Sequence, residues 1–439
     1  MYEGWWRGFA EGWLARYRDR PEAVDYHRGT HGEFLRRHEQ WVEDAVQTGP
    51  DKVAAVRPFL LKRVADARSL RCAWDKLRRK GGQAPGPNGH RYEDLDESEV
   101  WSLLRALGKA IRDATYRPGP ERECKIPKRS GQGYRTLRIR NIEDRVVEKS
   151  VVLIVQPLLD PYFAEFSFGY RPGRDRRHAL AMAERLTVAE GRPVWVCQDL
   201  RDAYDHVSLA RVRDVVGKRL PVPGLRALIR RIIDTPTKKG LRQGGPLSPL
   251  LLNMFLDHLL DRRWSKPKDA PPLMRVADDL LILCRSMEEA QSAHAKLQTL
   301  LQPTGMSLKH SPEKAIRDLS AGEPAHWLGF MIGHGGDRLA VRLADDCWDE
   351  LHEHLALAHT EPDAPLRAVA SINGWVDQMG PAYSITDRQH DCQRVIDIAH
   401  QHGFDEIPGL QDLLDRYQES YARWSKLRQA GQTIPTEDA

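Results

Sequence analysis

The chain has 439 residues, 41% apolar and 29% charged, with 67 basic against 62 acidic side chains and a formal net charge of +5. This size and composition suit a soluble globular protein of about three domains. No apolar run is long enough for a bilayer span and the N-terminus has no signal-peptide core, so neither a membrane-spanning segment nor secretion is expected.

Residues 1–78 read as a helical extension rich in Arg, Glu and Trp. In "GWWRGFAEGWLARY", Trp5, Trp6, Phe9 and Trp13 fall at helical spacing, which favours a helix docked on the protein's own body over a membrane-surface helix. The Gly/Pro cluster "KGGQAPGPNG" ends this region. A helix over "DESEVWSLLRALGKAIRDA" is followed by "CKIPKRSGQGYRTLRIR", a β-hairpin turning at Ser130–Gly133. Arg122 to Arg140 hold seven basic residues and one acid, 7 − 1 = +6, more than the whole chain carries. A polyanion partner and a solvated basic loop are the two readings of that charge.

Helical periodicity returns in "NIEDRVVEKSVVLIVQPLLDPYF". "RPVWVCQDL" reads as a buried strand that ends at Asp199, and helices follow near 208–218 and 222–234. A Gly/Pro turn then opens a helix in "GLRQGGPLSPLLLNMFLDHLLDRR". "LMRVADDLLILC" suits two short strands joined at Asp278 and Asp279, and after Gly336 the pattern is helical almost to the end. The fold class is α+β, with a split βαβ sheet and helices on one face.

The six cysteines stand far apart without a CxxC pair, which argues against a zinc site and a disulfide framework and fits a reducing cytoplasm. His352, His354 and His359 read as exposed helix histidines rather than a metal site. The adjacent aspartates pose a sharper question, because neighbouring carboxylates repel and are costly to bury. If the strand ending at Asp199 pairs beside the aspartate hairpin, Asp199, Asp278 and Asp279 meet at one sheet edge. Hard oxygen donors of that kind suit Mg²⁺. Two such ions roughly 4 Å apart are a common device for displacement at phosphorus. A surface turn is the plain alternative for a lone "DD".

In chain order, "GGQAPGPNG", "KIPKRSGQGYRTLRI", "EDRVVEKSVVLIVQPLLDPYF", "FSFGYRPGR", "CQDLRDAYDHV", "RQGGPLSPLLLNMFLD", "RVADDLLIL", "SPEKA" and "WLGF" resemble the successive blocks of bacterial reverse transcriptases over roughly residues 72–335. The likeness is to the group II intron type and its domesticated relatives. It implies a right-hand polymerase with a helical N-terminal extension (1–78), fingers (79–192), a palm (193–336) and a helical thumb and C-terminal region (337–439). "SINGWVDQMGPAY" resembles the thumb segment of intron-type enzymes, which lies along the minor groove of a template–product duplex.

The resemblance also implies residue roles. Asp199, Asp278 and Asp279 are metal ligands for two Mg²⁺ ions, with Mn²⁺ as a substitute. Tyr204 excludes a 2′-hydroxyl, or is a simple core aromatic. Lys128 and Arg135 grip the triphosphate, and Gln243 and Gly244 lie against the nucleotide. Lys314 protonates departing pyrophosphate, with a solvent-facing salt bridge as the alternative. Trp327 and Gly329 belong to the turn that holds the primer end. Arg171 and Arg174 contact template backbone, or form structural ion pairs.

Val276 stands where the family usually has an aromatic residue near the primer terminus. The implied activity is RNA-directed DNA synthesis from a structured RNA template, a DNA or RNA primer and dNTPs. Two departures from a mobile intron protein, the long Trp-rich N-terminal extension and the lack of a histidine and paired-cysteine endonuclease pattern after the thumb, point to a free-standing antiphage-defence enzyme with a companion non-coding RNA. The alternative is a group II intron maturase acting mainly as an RNA-binding splicing factor.

Overall fold

The computed structural model describes residues 30–80, 84–127, 134–234, 240–359, 363–382 and 388–432. The aromatic cluster Trp5–Trp13, Lys128 and the Ser130–Gly133 turn lie outside them. Helices α1 (Thr30–Thr48), α2 (Ala67–Lys80) and α3 (Glu97–Arg112) come first. The α3 start is set by Asp96, whose carboxylate accepts from the Ser98 and Glu99 amides while Glu99 reaches back to the Asp96 amide. This reciprocal cap satisfies amides that have no partner within the helix. Strands β1 (Glu121–Pro127) and β2 (Tyr134–Arg140) then pair antiparallel.

The buried helix α4 (Ile142–Leu159) and α5 (Arg176–Val188) precede β3 (Val194–Asp199). Helices α6 (Leu209–Arg219), α7 (Pro223–Ile233) and α8 (Ser248–Leu256) follow, and a π-helical turn, Asp257–Asp261, extends α8. After β4 (Leu273–Val276), β5 (Asp279–Cys284), α9 (Met287–Leu301) and β6 (Ile316–Asp318), strands β7 (Ala325–Trp327), β8 (Phe330–His334) and β9 (Leu339–Leu343) form a separate antiparallel sheet. Helices α10 (Asp345–Ala358), α11 (Ala364–Gln378), α12 (Arg388–Gln401) and α13 (Leu410–Gln432) close the described chain. Helix is the expectation after Gly336, but "LAVRL" is a strand. Its alternating burial is a two-residue repeat that pairs with β8.

The central sheet is antiparallel in the order β4-β5-β3-β6. Its pleat separates two cores. Val194, Val196, Leu280 and Ile282 join the core built from α4 and α6–α9, whereas Trp195, Leu281, Leu283 and Met274 join one built from β7–β9 and the C-terminal helices. The expected helices on one face are therefore only half of the arrangement, because both faces are covered. Among the described residues no helix is long and apolar enough to cross a membrane.

Candidate active site

Register brings two of the three aspartates together. Asp199 is the direct cross-strand partner of Asp279, which also pairs with Val276 on β4. Directly opposed residues share a face, so Val276, Asp279 and Asp199 form one row on the Trp195 side of the sheet. Asp278 occupies the two-residue turn between β4 and β5, and its carbonyl accepts the Leu200 amide at 3.1 Å. Ala277, the first turn residue, has φ 60°. That is a conformation glycine normally supplies.

Two of the carboxylates act on the third. Asp279 is pushed up to about 7 by burial first and by the charges of Asp278 and Asp199 next, while Lys309 opposes the shift. Among the described residues no group of three or more His, Cys, Asp or Glu side chains is assembled to hold a metal ion. The aspartates share a field rather than a finished cage. The donors are hard oxygens whose mutual repulsion raises Asp279, so the set suits a divalent cation supplied together with a polyanionic substrate.

The ammonium in contact with this set is Lys309. Its Nζ lies 2.7 Å from Asp199 Oδ2. A backbone ladder fixes the loop that carries it: Arg201 donates to Ser307 O at 2.9 Å and Lys309 to Asp199 O at 3.0 Å. The Gln198 side chain, on the opposite face, donates to His310 O at 2.7 Å and accepts the His310 amide at 3.2 Å. Lys314 lies on the following short helix and faces solvent. Lys309, five residues before the expected Lys314, is thus the lysine seen in contact with Asp199, and the amino-acid order alone did not mark it.

The hairpin is clamped from below by Arg275, which is 1% exposed. Nε and Nη2 bond Asp261, Nη2 also bonds Ser167 Oγ at 2.9 Å, and Nη1 bonds Asn253 Oδ1 at 2.8 Å and Ala277 O at 3.1 Å. All five guanidinium donors are used. Residues 166–169 run alongside: Arg275 N donates to Phe166 O and Phe168 N to Arg275 O. Gly169 packs so closely that a Cβ there would lie 2.1 Å from Ala277 N. Neither Arg275 nor Gly169 was singled out in the sequence.

Tyr204 sits half-buried on a helical turn, Ala203–His206, and burial and the Tyr170 hydroxyl push its own hydroxyl up. Gln243 donates to Asp205 Oδ2 at 3.3 Å and its carbonyl accepts the Arg138 amide, which ties this loop to the basic hairpin. Gly244 has φ 92° and only Leu137 Cδ2, at 3.9 Å, near a hypothetical Cβ. Arg135 pairs with Ile126 in the hairpin register. Part of the hairpin's charge is internal: Arg140 and Arg242 converge on buried Glu148 and on Glu121.

Three residues are better explained by structure than by nucleic-acid contact. Arg171 is buried and devotes its guanidinium to Asp160 and to the Ala164 and Ser167 carbonyls. Arg174 binds the Glu165 and Ser167 carbonyls, and burial lowers its affinity for its proton. Trp327 is 3% exposed and its ring packs edge-on against Trp195. The turn beside it matches expectation in shape, with Leu328 at φ 54° and Gly329 at φ 82°. His352 and His359 both engage His402, one through its ring nitrogen and one through its carbonyl.

Residues 126–332 match the family described as "Reverse transcriptase (RNA-dependent DNA polymerase)", so the chain carries a reverse transcriptase domain. Protein YkfC of Escherichia coli K12 is 29% identical over 207 residues, 44% of this chain and 54% of YkfC. The group II intron-encoded protein LtrA of Lactococcus lactis subsp. cremoris is 26% identical over 193 residues, 42% of this chain and 31% of LtrA. The putative COX1/OXI3 intron 2 protein of Saccharomyces cerevisiae is 25% identical over 225 residues, 49% of this chain and 26% of that protein. The chain thus spans between about a quarter and about half of the length of these relatives. Among solved structures, apo telomerase from Candida tropicalis aligns with TM-score 0.44 and 10% identity over 73% of this chain and 70% of that one.

Proposed function

We propose that this reverse transcriptase domain makes the chain an RNA-directed DNA polymerase, extending a DNA or RNA primer with dNTPs along a structured RNA template. The observation that carries the reading is the row of Asp199 and Asp279 on one sheet face with Asp278 in the adjoining turn. In this reading the three carboxylates hold two Mg²⁺ ions. Bound there, divalent cations make the primer hydroxyl a better nucleophile and offset charge on the departing pyrophosphate.

The remaining work falls to the protein. Asp199 and Asp279 fix the acceptor oxygens from two adjacent strands, and the Arg275 clamp fixes the turn that presents Asp278. Lys309 supplies positive charge beside Asp199. Tyr204 forms the floor under the incoming sugar and selects deoxynucleotides. The Gln243–Gly244 loop and the basic hairpin, with Lys128 and Arg135, bind the triphosphate. Residues 79–192, 193–336 and 337–439 act as fingers, palm and thumb.

Primer extension on poly(rA)·oligo(dT) with dTTP and Mg²⁺ tests the reading. Wild-type protein should incorporate dTMP and Asp278→Ala/Asp279→Ala should not. Incorporation that survives the double change overturns the assignment. We place the activity in antiphage defence with a companion non-coding RNA. The helical extension that precedes the fingers, with α1 and α2 in its described part, is what supports a free-standing enzyme in this reading. Sequencing the RNA that co-purifies from the native host should return one structured neighbouring transcript. An intron with its flanking exons would instead favour the splicing role.

A further inference from the structure

One exposed ring beside the aspartates is held in a way that the fold alone does not require. Tyr170 has φ 55°, a left-handed conformation that bulky side chains rarely adopt, yet the residue is 54% exposed. The chain on both sides is fastened. Asn253 Nδ2 donates to Gly169 O at 2.6 Å, and Gln156 Nε2 donates to Tyr170 O at 2.8 Å. Gly169 abuts the Ala277 backbone, and Arg171 is locked to Asp160.

The backbone is thus over-determined into a strained residue whose ring adds little to the core. Strain that neighbours enforce at a surface position is a pointer to ligand contact. The ring lies by the site: its hydroxyl is hydrogen-bonded to that of Tyr204, and the adjoining Gly169 abuts the Ala277 backbone of the aspartate turn. A tyrosine offers a flat apolar face with a polar tip, which suits a nucleoside and carries no base preference.

We propose that Tyr170 is a nucleoside-contacting residue, its exposed ring packing against the nucleoside held at the aspartates. The inference rests on the polymerase reading above. That nucleoside belongs either to the incoming nucleotide or to the primer's 3′ end, and the two sources give different results.

The test compares Tyr170→Gly and Tyr170→Phe with wild type, using poly(rA)·oligo(dT), dTTP and Mg²⁺. Melting temperature, KM for dTTP and the dissociation constant for the primer–template are the readouts. Glycine adopts the left-handed conformation without a Cβ penalty, so Tyr170→Gly should melt at or above the wild-type temperature. It should nonetheless lose roughly tenfold in one binding constant, the loss expected for an aromatic stacking partner. Tyr170→Phe keeps the ring and should stay within about threefold of wild type, the cost of one hydroxyl.

A raised KM for dTTP with unchanged primer affinity assigns the ring to the incoming nucleotide, and the reverse assigns it to the primer end. Photo-crosslinking of a 4-thiothymidine primer terminus to residue 170 is expected in the second case. Unchanged constants in Tyr170→Gly, or a lowered melting temperature that accounts for lost binding, overturn this inference alone. Wild-type protein that neither binds nor extends primer overturns the polymerase reading, and this inference with it.

Discussion

Gly169→Ala puts the geometry of the aspartate turn under direct stress. A Cβ at this position would stand 2.1 Å from Ala277 N, 2.9 Å from Ala277 Cα and 3.0 Å from the Val276 carbonyl carbon. Ordinary contact begins near 3.4 Å, so one of the two backbones must retreat by 3.4 − 2.1 = 1.3 Å. No side-chain rotation relieves the clash, because all three of these neighbouring atoms are backbone. Asn253 restrains Gly169 and Arg275 restrains Ala277, so the displacement reaches Asp278. Misplacing a reacting group by about 1 Å costs on the order of a hundredfold in rate. Single-turnover primer extension should therefore fall about a hundredfold in Gly169→Ala, with far-ultraviolet circular dichroism unchanged. Gly374→Ala, in α11 with nothing within 4 Å, is the stability control: its Cβ meets no neighbour and should stabilise the fold by roughly 0.5–1 kcal/mol. A Gly169→Ala protein that extends primer within twofold of wild type would refute the reasoning.

Arg275→Met removes the only cation bonded to Asp261 in the described clamp and should destabilise the protein by about 3–5 kcal/mol in urea unfolding, against about 1 kcal/mol for Ser167→Ala. Equal losses would mean that the clamp is not an ionic hub. Burial lowers His38 to about 4, and its ring nitrogen Nε2 donates to Ile154 O at 2.8 Å. Below pH 6.5 the unfolded chain binds a proton that the folded protein refuses, so the contribution of His38 is complete above about pH 6.5 and falls as pH drops toward 4. His38→Gln should flatten that limb of the melting temperature against pH; an identical slope would contradict it. Tyr204→Val should raise incorporation of ribonucleotides relative to deoxynucleotides at least tenfold if the ring excludes a 2′-hydroxyl, roughly 1.4 kcal/mol of discrimination. Steady-state ratios of kcat/KM for dTTP and UTP measure it.

The parts of this architecture that follow local rules were visible in the amino-acid order. Short apolar runs, rich in β-branched residues at β3 and broken by the aspartates between β4 and β5, located these strands, and the basic hairpin showed itself as two short β-prone runs around Ser130–Gly133. The order of blocks carried the family likeness. Residues decided by contacts distant in sequence were not visible. Lys309 and Lys314 are five apart in one polar stretch, and only the ladder between 307–310 and 198–201 selects Lys309. Arg171 has the chemistry of a phosphate ligand, but Asp160 and nearby carbonyls occupy it. Arg275 looked like an ordinary strand arginine until Asp261, on a π-helical turn, and Asn253 arrived from the preceding helix. The strand Leu339–Leu343 was hidden because its partner β8, not its own composition, determines its state.

The central claim is that Asp199, Asp278 and Asp279 hold divalent cations in the presence of substrate. Titrating Mn²⁺ into the protein–primer–template complex while following free Mn²⁺ by electron paramagnetic resonance tests it without relying on turnover. Wild-type protein with dTTP and a dideoxy-terminated primer should bind Mn²⁺ competitively with Mg²⁺, and Asp199→Asn/Asp279→Asn should lose that binding while still retaining the duplex. Equal Mn²⁺ binding by both proteins would contradict the account.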